Sequence, residues 1–452
     1  MKEKIKAAFV GFGEINTPKE VIEKKCFNAK KLLEDNDLEL INYNIVNDDP
    51  EQKTSEKAIK SIINKTFDIL IICIAGWIPT WAVIKVAKEF EHKPMLLWGL
   101  TGYYENKKLL TTADQAGTSA LRKVFEDMDF NFKYIYDSPG KPADIKVIKD
   151  FAKACQSGNI LNSLKIGMMG YRDMNLYGTM YDATSIKSKL GVEIEHFEML
   201  EIVQKIKTVS HPEVEKKIKE IRKKWDFQKS AADSTLKAGV EFYLALKEKI
   251  LERRYDAISL NDVDGMKKLL NLPPAMIFML VSDEMGICTI PENDSLGSVT
   301  QLICRCLTGQ ISAYMEFYEF MEDRVLMGVP DFVPFEITDG KTKVVPTKFG
   351  DLNEGILNIS KVKTGKVTLA RLANSKSKYL MHIMTGKAIS PCNWEEVGWT
   401  PPAPQLPSLE IILDSSVDDF AQKVMSQHYI ITYGDNSSLL KDFCRLKYID
   451  VI

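Results

Sequence analysis

The sequence predicts an α/β protein: two Rossmann-like α/β domains with parallel sheets, followed by a C-terminal antiparallel β-barrel-like domain. Three observations predict it. Over the first 160 residues, short apolar runs alternate with amphipathic stretches of helical length. A second alternation of the same kind begins near residue 164. From about residue 335 the runs are short, β-rich and separated by turns. The expected domains are 1–163, 164–335 and 336–452.

In the first domain strands are expected at 5–10, 38–46, 67–74, 94–98 and 132–136. Lys/Glu-rich helices are expected between and after them, at 19–34, 55–64, 79–90, 113–128 and 143–157. The strands are almost continuously apolar, which is the pattern of a parallel sheet covered on both faces. In the second domain, strands are expected at 164–169, 192–197, 257–260 and 275–281, with helices at 183–190, through most of 211–254, and at 296–307. Short runs at 343–346, 355–362, 366–372 and 379–385 make up the β-rich part. Thr364-Gly365 falls between two alternating runs and reads as a hairpin turn. Helices return in 415–448.

Composition excludes several classes. Sixty Lys+Arg against sixty-two Asp+Glu leave a formal charge of −2, which supports neither a nucleic-acid nor a membrane-surface partner. The lysine-rich stretch at 216–225 has acidic residues interspersed and reads as a solvated helix face. The N-terminal stretch turns from strand-like to Gly-containing within a dozen residues, unlike a secretory signal. The longest apolar run, 69–75, has the length of a strand and not of a membrane span. Eight cysteines without regular spacing fit a reducing cytoplasm, and the Cys304/Cys306 pair lacks a second pair at zinc-ribbon spacing. Gly11-Phe12-Gly13 follows the first strand, but Asn16 stands where a dinucleotide loop needs its third glycine, so a strand-end turn is the default.

The region 288–334 carries more chemistry. Glu292 follows an apolar strand and Pro291, and precedes a helix. Glu316 follows the next run, 311–315. Groups at the carboxyl ends of strands in an open α/β sheet meet in one crevice. Two glutamates there can hold a divalent cation or act as a base–acid pair, although the pattern by itself favours ordinary surface carboxylates. His428, one of five histidines, gains meaning only if it meets them in space. Trp77 and Trp81 follow the most apolar strand and offer a flat face to a sugar ring, or cover the sheet or an oligomer interface. Trp394 and Trp399 carry the same two readings.

Three segments resemble the L-fucose isomerase / L-arabinose isomerase superfamily. They are Gly170-Tyr171-Arg172-Asp173-Met174 through Leu190-Gly191-Val192-Glu193-Ile194, Pro291-Glu292-Asn293-Asp294 to Tyr314-Met315-Glu316, and Ser426-Gln427-His428 with Tyr433-Gly434-Asp435. The likeness extends over nearly the whole chain as a three-domain layout. It implies a cytoplasmic aldose–ketose isomerase using Mn²⁺ (or Mg²⁺ or Co²⁺) and a cis-enediol intermediate. By position, it makes Glu292, Glu316 and His428 the metal ligands and the two glutamates the catalytic pair. It implies a homo-oligomer, hexamer-like, in which Trp77 reaches a neighbour's site. Gln427 resembles a polar sugar contact, and Trp399 is a looser match. Asn261, past the strand at 257–260, is a further candidate substrate contact, and Arg172 is a candidate for an anionic head group.

The chain also departs from the family. Gly328-Val329-Pro330 stands where fucose isomerases carry His-Cys-Gly and near where arabinose isomerases use a histidine. Pro291 replaces a cysteine. A fucose- or arabinose-like sugar, an uncommon pentose and a phosphorylated or sulfonated sugar all stay open. So does a different class: a sugar-binding or regulatory protein with a degenerate site. An epimerase or a lyase using the same metal is a third reading.

Overall fold

The computed structural model describes residues 4–329, 333–348, 351–375, 378–391 and 408–452. The chain divides into two compact units, 1–159 and 160–452.

In the first unit, β1 (Ile5–Phe12), β2 (Leu38–Leu40), β3 (Asn44–Val46), β4 (Ile69–Ile74), β5 (Met95–Gly99) and β6 (Phe132–Tyr136) form one parallel sheet. Its order is β2-β1-β4-β5-β6, with β3 also on β1. Every residue of β4 is buried, because helices cover both faces. Ala8, Val10, Leu70 and Ile72 face α2 (Lys53–Ile62), α3 (Thr80–Glu89) and α4 (Asp114–Asp127). On α1 (Lys19–Glu34), Ile22, Cys26, Ala29 and Leu33 are buried at spacings of four, three and four, the stripe an amphipathic helix turns inward. The expected strand at 38–46 is broken into β2 and β3. A small hairpin at 103–110 was not expected from the sequence; Asn106 and Lys107 both take positive φ at its two-residue turn.

The second unit opens with a four-stranded parallel sheet: β7 (Lys165–Met169), β8 (Glu193–Phe197), β9 (Ala257–Leu260) and β10 (Cys288–Ile290), in the order β8-β7-β9-β10. The run at 275–281 was expected as a strand; it is the helix Ala275–Met285. A helix buried on every side has no amphipathic period, so its apolar run looks like a buried strand. Gly286, at φ +62°, ends it, and the true strand follows at β10. The long helix expected over 211–254 is two helices, His211–Lys224 and Asp233–Arg253. Between them Asp226–Phe227 pairs with Lys343–Lys348, which pairs with Glu354–Asn358.

Six further strands close an antiparallel barrel: β11 (Ala313–Phe320), β12 (Arg324–Gly328), β13 (Gly365–Ser375), β14 (Lys378–Ile389), β15 (Ser408–Leu413) and β16 (His428–Tyr433). The order β13-β16-β11-β12-β15-β14 is completed by pairing β14 with β13. The barrel therefore begins at 313 and includes residues the sequence placed in the second α/β domain. Residues 164–335 and 336–452 share one compact unit. Thr364-Gly365 is no hairpin turn: residues 354–358 before it and 365–375 after it belong to different sheets. α5 (Ser295–Thr308) follows β10 and runs between the parallel sheet and the barrel, buried from Ser295 through Cys304.

The barrel encloses a histidine. His382 is buried, its Nδ1 lies 2.7 Å from the Tyr429 hydroxyl, and its ring stacks on Phe420. Burial pushes its pKa down from 6.5 to about 4, with Lys423 adding to the effect. The unfolded chain thus takes up a proton between these values that the folded chain refuses, and stability falls as pH drops through the window. We expect His382→Gln to flatten the pH dependence of urea-unfolding stability between about 6.5 and 4. An unchanged slope would remove His382 as its source.

Candidate functional site

The turn from β10 into α5 carries Glu292. Glu292 and Asn293 both sit at positive φ, +64° and +49°, which is uncommon for residues other than glycine. The surroundings hold them there. The Asn293 amide donates to the Leu260 carbonyl at 3.1 Å, and its side-chain Nδ2 donates to the carbonyls of Met169, at 2.8 Å, and Tyr171. The turn is thereby laced to the ends of β7 and β9. Asp294 then caps α5, accepting from the Gly297 amide at 2.9 Å.

Glu316 and His428 come from the barrel. They are register partners on the antiparallel strands β11 and β16, so their side chains emerge on the same face. Their neighbours Met315 and Tyr429 turn into the barrel core instead. The expectation that Glu316 ends a strand of the parallel sheet is corrected: it lies inside a barrel strand. His428 Nδ1 is 3.8 Å from Glu292 Oε2, and His428 Nε2 is 3.9 Å from Glu316 Oε1. The three residues picked from sequence thus meet, with the imidazole between the carboxylates and a different nitrogen toward each. Among the described residues, no three His, Cys, Asp or Glu side chains converge on one ion position. Gln427 Nε2 donates to Glu316 Oε1 at 3.4 Å.

A buried network that sequence reasoning missed sets this geometry. Tyr314 stacks on His428 with ring centroids 4.4 Å apart and donates its hydroxyl to Asp294 Oδ2 at 2.9 Å. Arg371, on β13, donates Nη2 to Asp294 Oδ1 at 2.9 Å and Nη1 to Oδ2. Burial by itself would raise the Asp294 carboxyl; attraction to the buried Arg371 guanidinium outweighs it and holds the carboxyl below its usual range. Asp294 and Tyr314 fall in segments that carry the family likeness, without a role assigned to either. Nothing local marks Arg371.

The other expected residues fall as follows. Asn261 caps the π-helix Asp262–Leu269, its Oδ1 accepting from the Gly265 amide at 2.7 Å. Arg172 lies in the loop after β7, over the Tyr177 ring. In that loop the buried Asp173 accepts backbone N–H bonds from Met174, Asp262, Val263 and Asp264, a clamp the sequence did not reveal. Trp77 belongs to the first unit, exposed after β4, its backbone tied to Glu14 and Thr112. Trp394, Trp399 and Pro330 lie outside the described residues. Gly328 is the register partner of Glu316, and a Cβ there would stand 1.9 Å from the Tyr318 ring. Tyr318 therefore fills the space in which a side chain at 328 would start.

A family model for the L-arabinose isomerase central domain matches residues 172–288. Sulfoquinovose isomerases of Priestia aryabhattai and of Priestia megaterium are each 20% identical over 375 residues, covering 80% of this chain and 80% of the relative. These findings support an arabinose/fucose isomerase-like superfamily and an aldose–ketose isomerase.

Losing Arg371 would strand the Asp294 carboxylate in a dry site. We expect Arg371→Met to cost about 3–5 kcal/mol in chemical denaturation. The double variant R371M/D294N should recover part of that loss, since it also removes the stranded charge. A single variant as stable as the parent would show that the pair contributes nothing.

Proposed function

We propose that the chain converts an aldose to a ketose by moving a proton between C1 and C2 of a small sugar through a cis-enediol. The observation that carries the reading is the pair of carboxylates, Glu292 and Glu316, within 4 Å of one buried imidazole, where two elements of different sheets meet. A base and a proton carrier on either side of a bound sugar are what this reaction needs. One carboxylate takes the proton from the carbon next to the carbonyl and returns it to the adjacent carbon. The other moves the hydroxyl proton between the two oxygens. Gln427 restrains Glu316 by its amide contact and offers the sugar a polar neighbour. Tyr314, stacked on His428, keeps that ring from swinging away.

The proposal includes a divalent cation, Mn²⁺ or else Mg²⁺ or Co²⁺. Two carboxylates and an imidazole are a donor set that suits such ions in kind. Glu292, Glu316 and His428 would hold it after their side chains turn toward a common point. Once bound, it would polarise the sugar oxygens and stabilise negative charge on them. The sugar is proposed as fucose- or arabinose-like, or modified; the relatives' name supports a sulfonated hexose among the candidates. A homo-oligomer in the cytoplasm completes the reading, with Trp77 the indole offered to a second copy. No helix of the described residues is long and apolar enough to cross a membrane.

One observation favours a second reading, a sugar-binding protein with a degenerate site: the three donors do not face a single point. Turnover separates the two. Metal-stripped protein incubated with aldoses in D₂O should exchange a C1 or C2 proton and form ketose once Mn²⁺ is restored, as followed by proton NMR after the ion is removed. Glu292→Gln and Glu316→Gln should each lower kcat by at least a hundredfold with the fold intact by circular dichroism. They should also weaken Mn²⁺ binding, read by electron paramagnetic resonance. Full turnover in both variants would overturn the assignment. Sugar binding without conversion would favour the second reading.

A further inference from the structure

We propose that the cavity beside the Glu292 turn is a subsite for an anionic head group of the sugar, a sulfonate or a phosphate, and that Arg172 holds it. The proposal rests on the isomerase reading and deepens it. The cavity has a volume of about 240 Å³ and is lined by Tyr171, Arg172, Tyr181, His196, Asn293 and Ser295, among others. It lies past the carboxyl ends of β7 and β8, where open α/β sheets receive ligands. Its wall includes Asn293, the residue next to Glu292, which sets the cavity beside the turn that carries that carboxylate.

The charge in this cavity is one-sided. Arg172 lines it, and among the described residues no carboxylate pairs with its guanidinium. Its Nη2 donates to Asn175 Oδ1 at 3.0 Å, and the guanidinium lies 5.0 Å from the centre of the Tyr177 ring. Its Nε is buried and has no hydrogen-bond acceptor in the protein. An unmet buried donor is costly, and an oxyanion that reaches Nε would meet it. The acidic residues of the same loops are occupied elsewhere. Asp173 is held by four backbone amides, and Asp182 caps the helix Ala183–Leu190 through the Ser185 amide at 2.8 Å.

The opposite wall is fixed by hydrogen bonds. His196 Nδ1 lies 2.7 Å from the Gly170 carbonyl, an acceptor only, so that nitrogen carries the proton. Its Nε2 lies 3.0 Å from the Tyr181 hydroxyl, and the two rings stack. The loop that aims Arg172 is itself held in an uncommon backbone form: Met174 and Asn175 both take positive φ, +46° and +55°. Asn175 is the residue that anchors the guanidinium. The outcome is a single oriented cation over a cavity walled by aromatic rings, which suits a tetrahedral oxyanion carried on a sugar ring.

The test is steady-state kinetics of the full chain on glucose, glucose 6-phosphate and 6-deoxy-6-sulfoglucose, comparing the parent protein with Arg172→Gln and Arg172→Lys. The parent should have at least tenfold higher kcat/KM for one of the anionic sugars than for glucose; the preferred one tells phosphate from sulfonate. R172Q should raise KM for that sugar tenfold or more while leaving kcat and the values for glucose within twofold. R172K should recover part of the loss. An equal fall for all three sugars in R172Q, or a parent that prefers glucose, would overturn the subsite and leave the isomerase reading standing. If none of the sugars is converted, that reading fails for these substrates, and the subsite is judged by calorimetric binding of the same three compounds. Binding of an anionic sugar that R172Q abolishes supports it; absence of such binding overturns it.

Discussion

The ion pair between Asp294 and Arg371 is the constraint on which the site depends. One partner caps the helix that leaves the parallel sheet; the other stands on a barrel strand 77 residues later. Both are almost fully buried, at 1% side-chain exposure. Two charges removed from water must return their desolvation cost through geometry, and this pair does so with two hydrogen bonds, a third from Tyr314 and the cap itself. Against an apolar pair of the same shape the energetic value of such a pair is modest, although removing one partner is costly. Its consequence is positional: it fixes the distance between the Glu292 turn and the strands that carry Glu316 and His428.

Tyr314 carries that constraint from the ion pair to the chemistry. Its hydroxyl reads the position of Asp294, and its ring face sets the plane of His428. Strand alternation then places Glu316, two residues further along, on the same face. A shift of the sheet against the barrel would therefore move the carboxylates and the imidazole together. The positive φ of Glu292 and Asn293 fits this view. The turn accepts an unfavourable backbone because Asn293 finds acceptors on two neighbouring strand ends.

How far the sequence could be read follows from where the information lies. Near-continuous apolar strands and helical stripes are local, and they disclosed the parallel sheets of both units. The helix Ala275–Met285 was misread because unbroken burial from Ala275 to Ser282 erases the period that tells helix from strand. Thr364-Gly365 was misread because turn chemistry reports a change of direction without saying which sheet the chain joins next. The Glu292, Glu316 and His428 set was visible as residue types at suggestive places, helped by family likeness. The partner of Asp294 was not, since nothing near Arg371 distinguishes it from a surface arginine until the barrel closes.

The same logic bears on the chain's departure at Gly328. A side chain at 328 would begin inside the ring of Tyr318, so it would require that ring to move. Gly328 and Tyr318 pack against each other beside Glu316. Solvent reaches the carboxylates unequally as well: the Glu316 side chain is 31% exposed and that of Glu292 8%. Glu316 is therefore the carboxylate more open to a ligand arriving from water. Two like groups in unlike surroundings are the arrangement from which distinct acid and base roles arise. The cavity with Arg172 lies on the Glu292 side of that arrangement, through the shared Asn293. A sugar anchored there by its head group would present its far end to the buried carboxylate while its other face stayed open to Glu316.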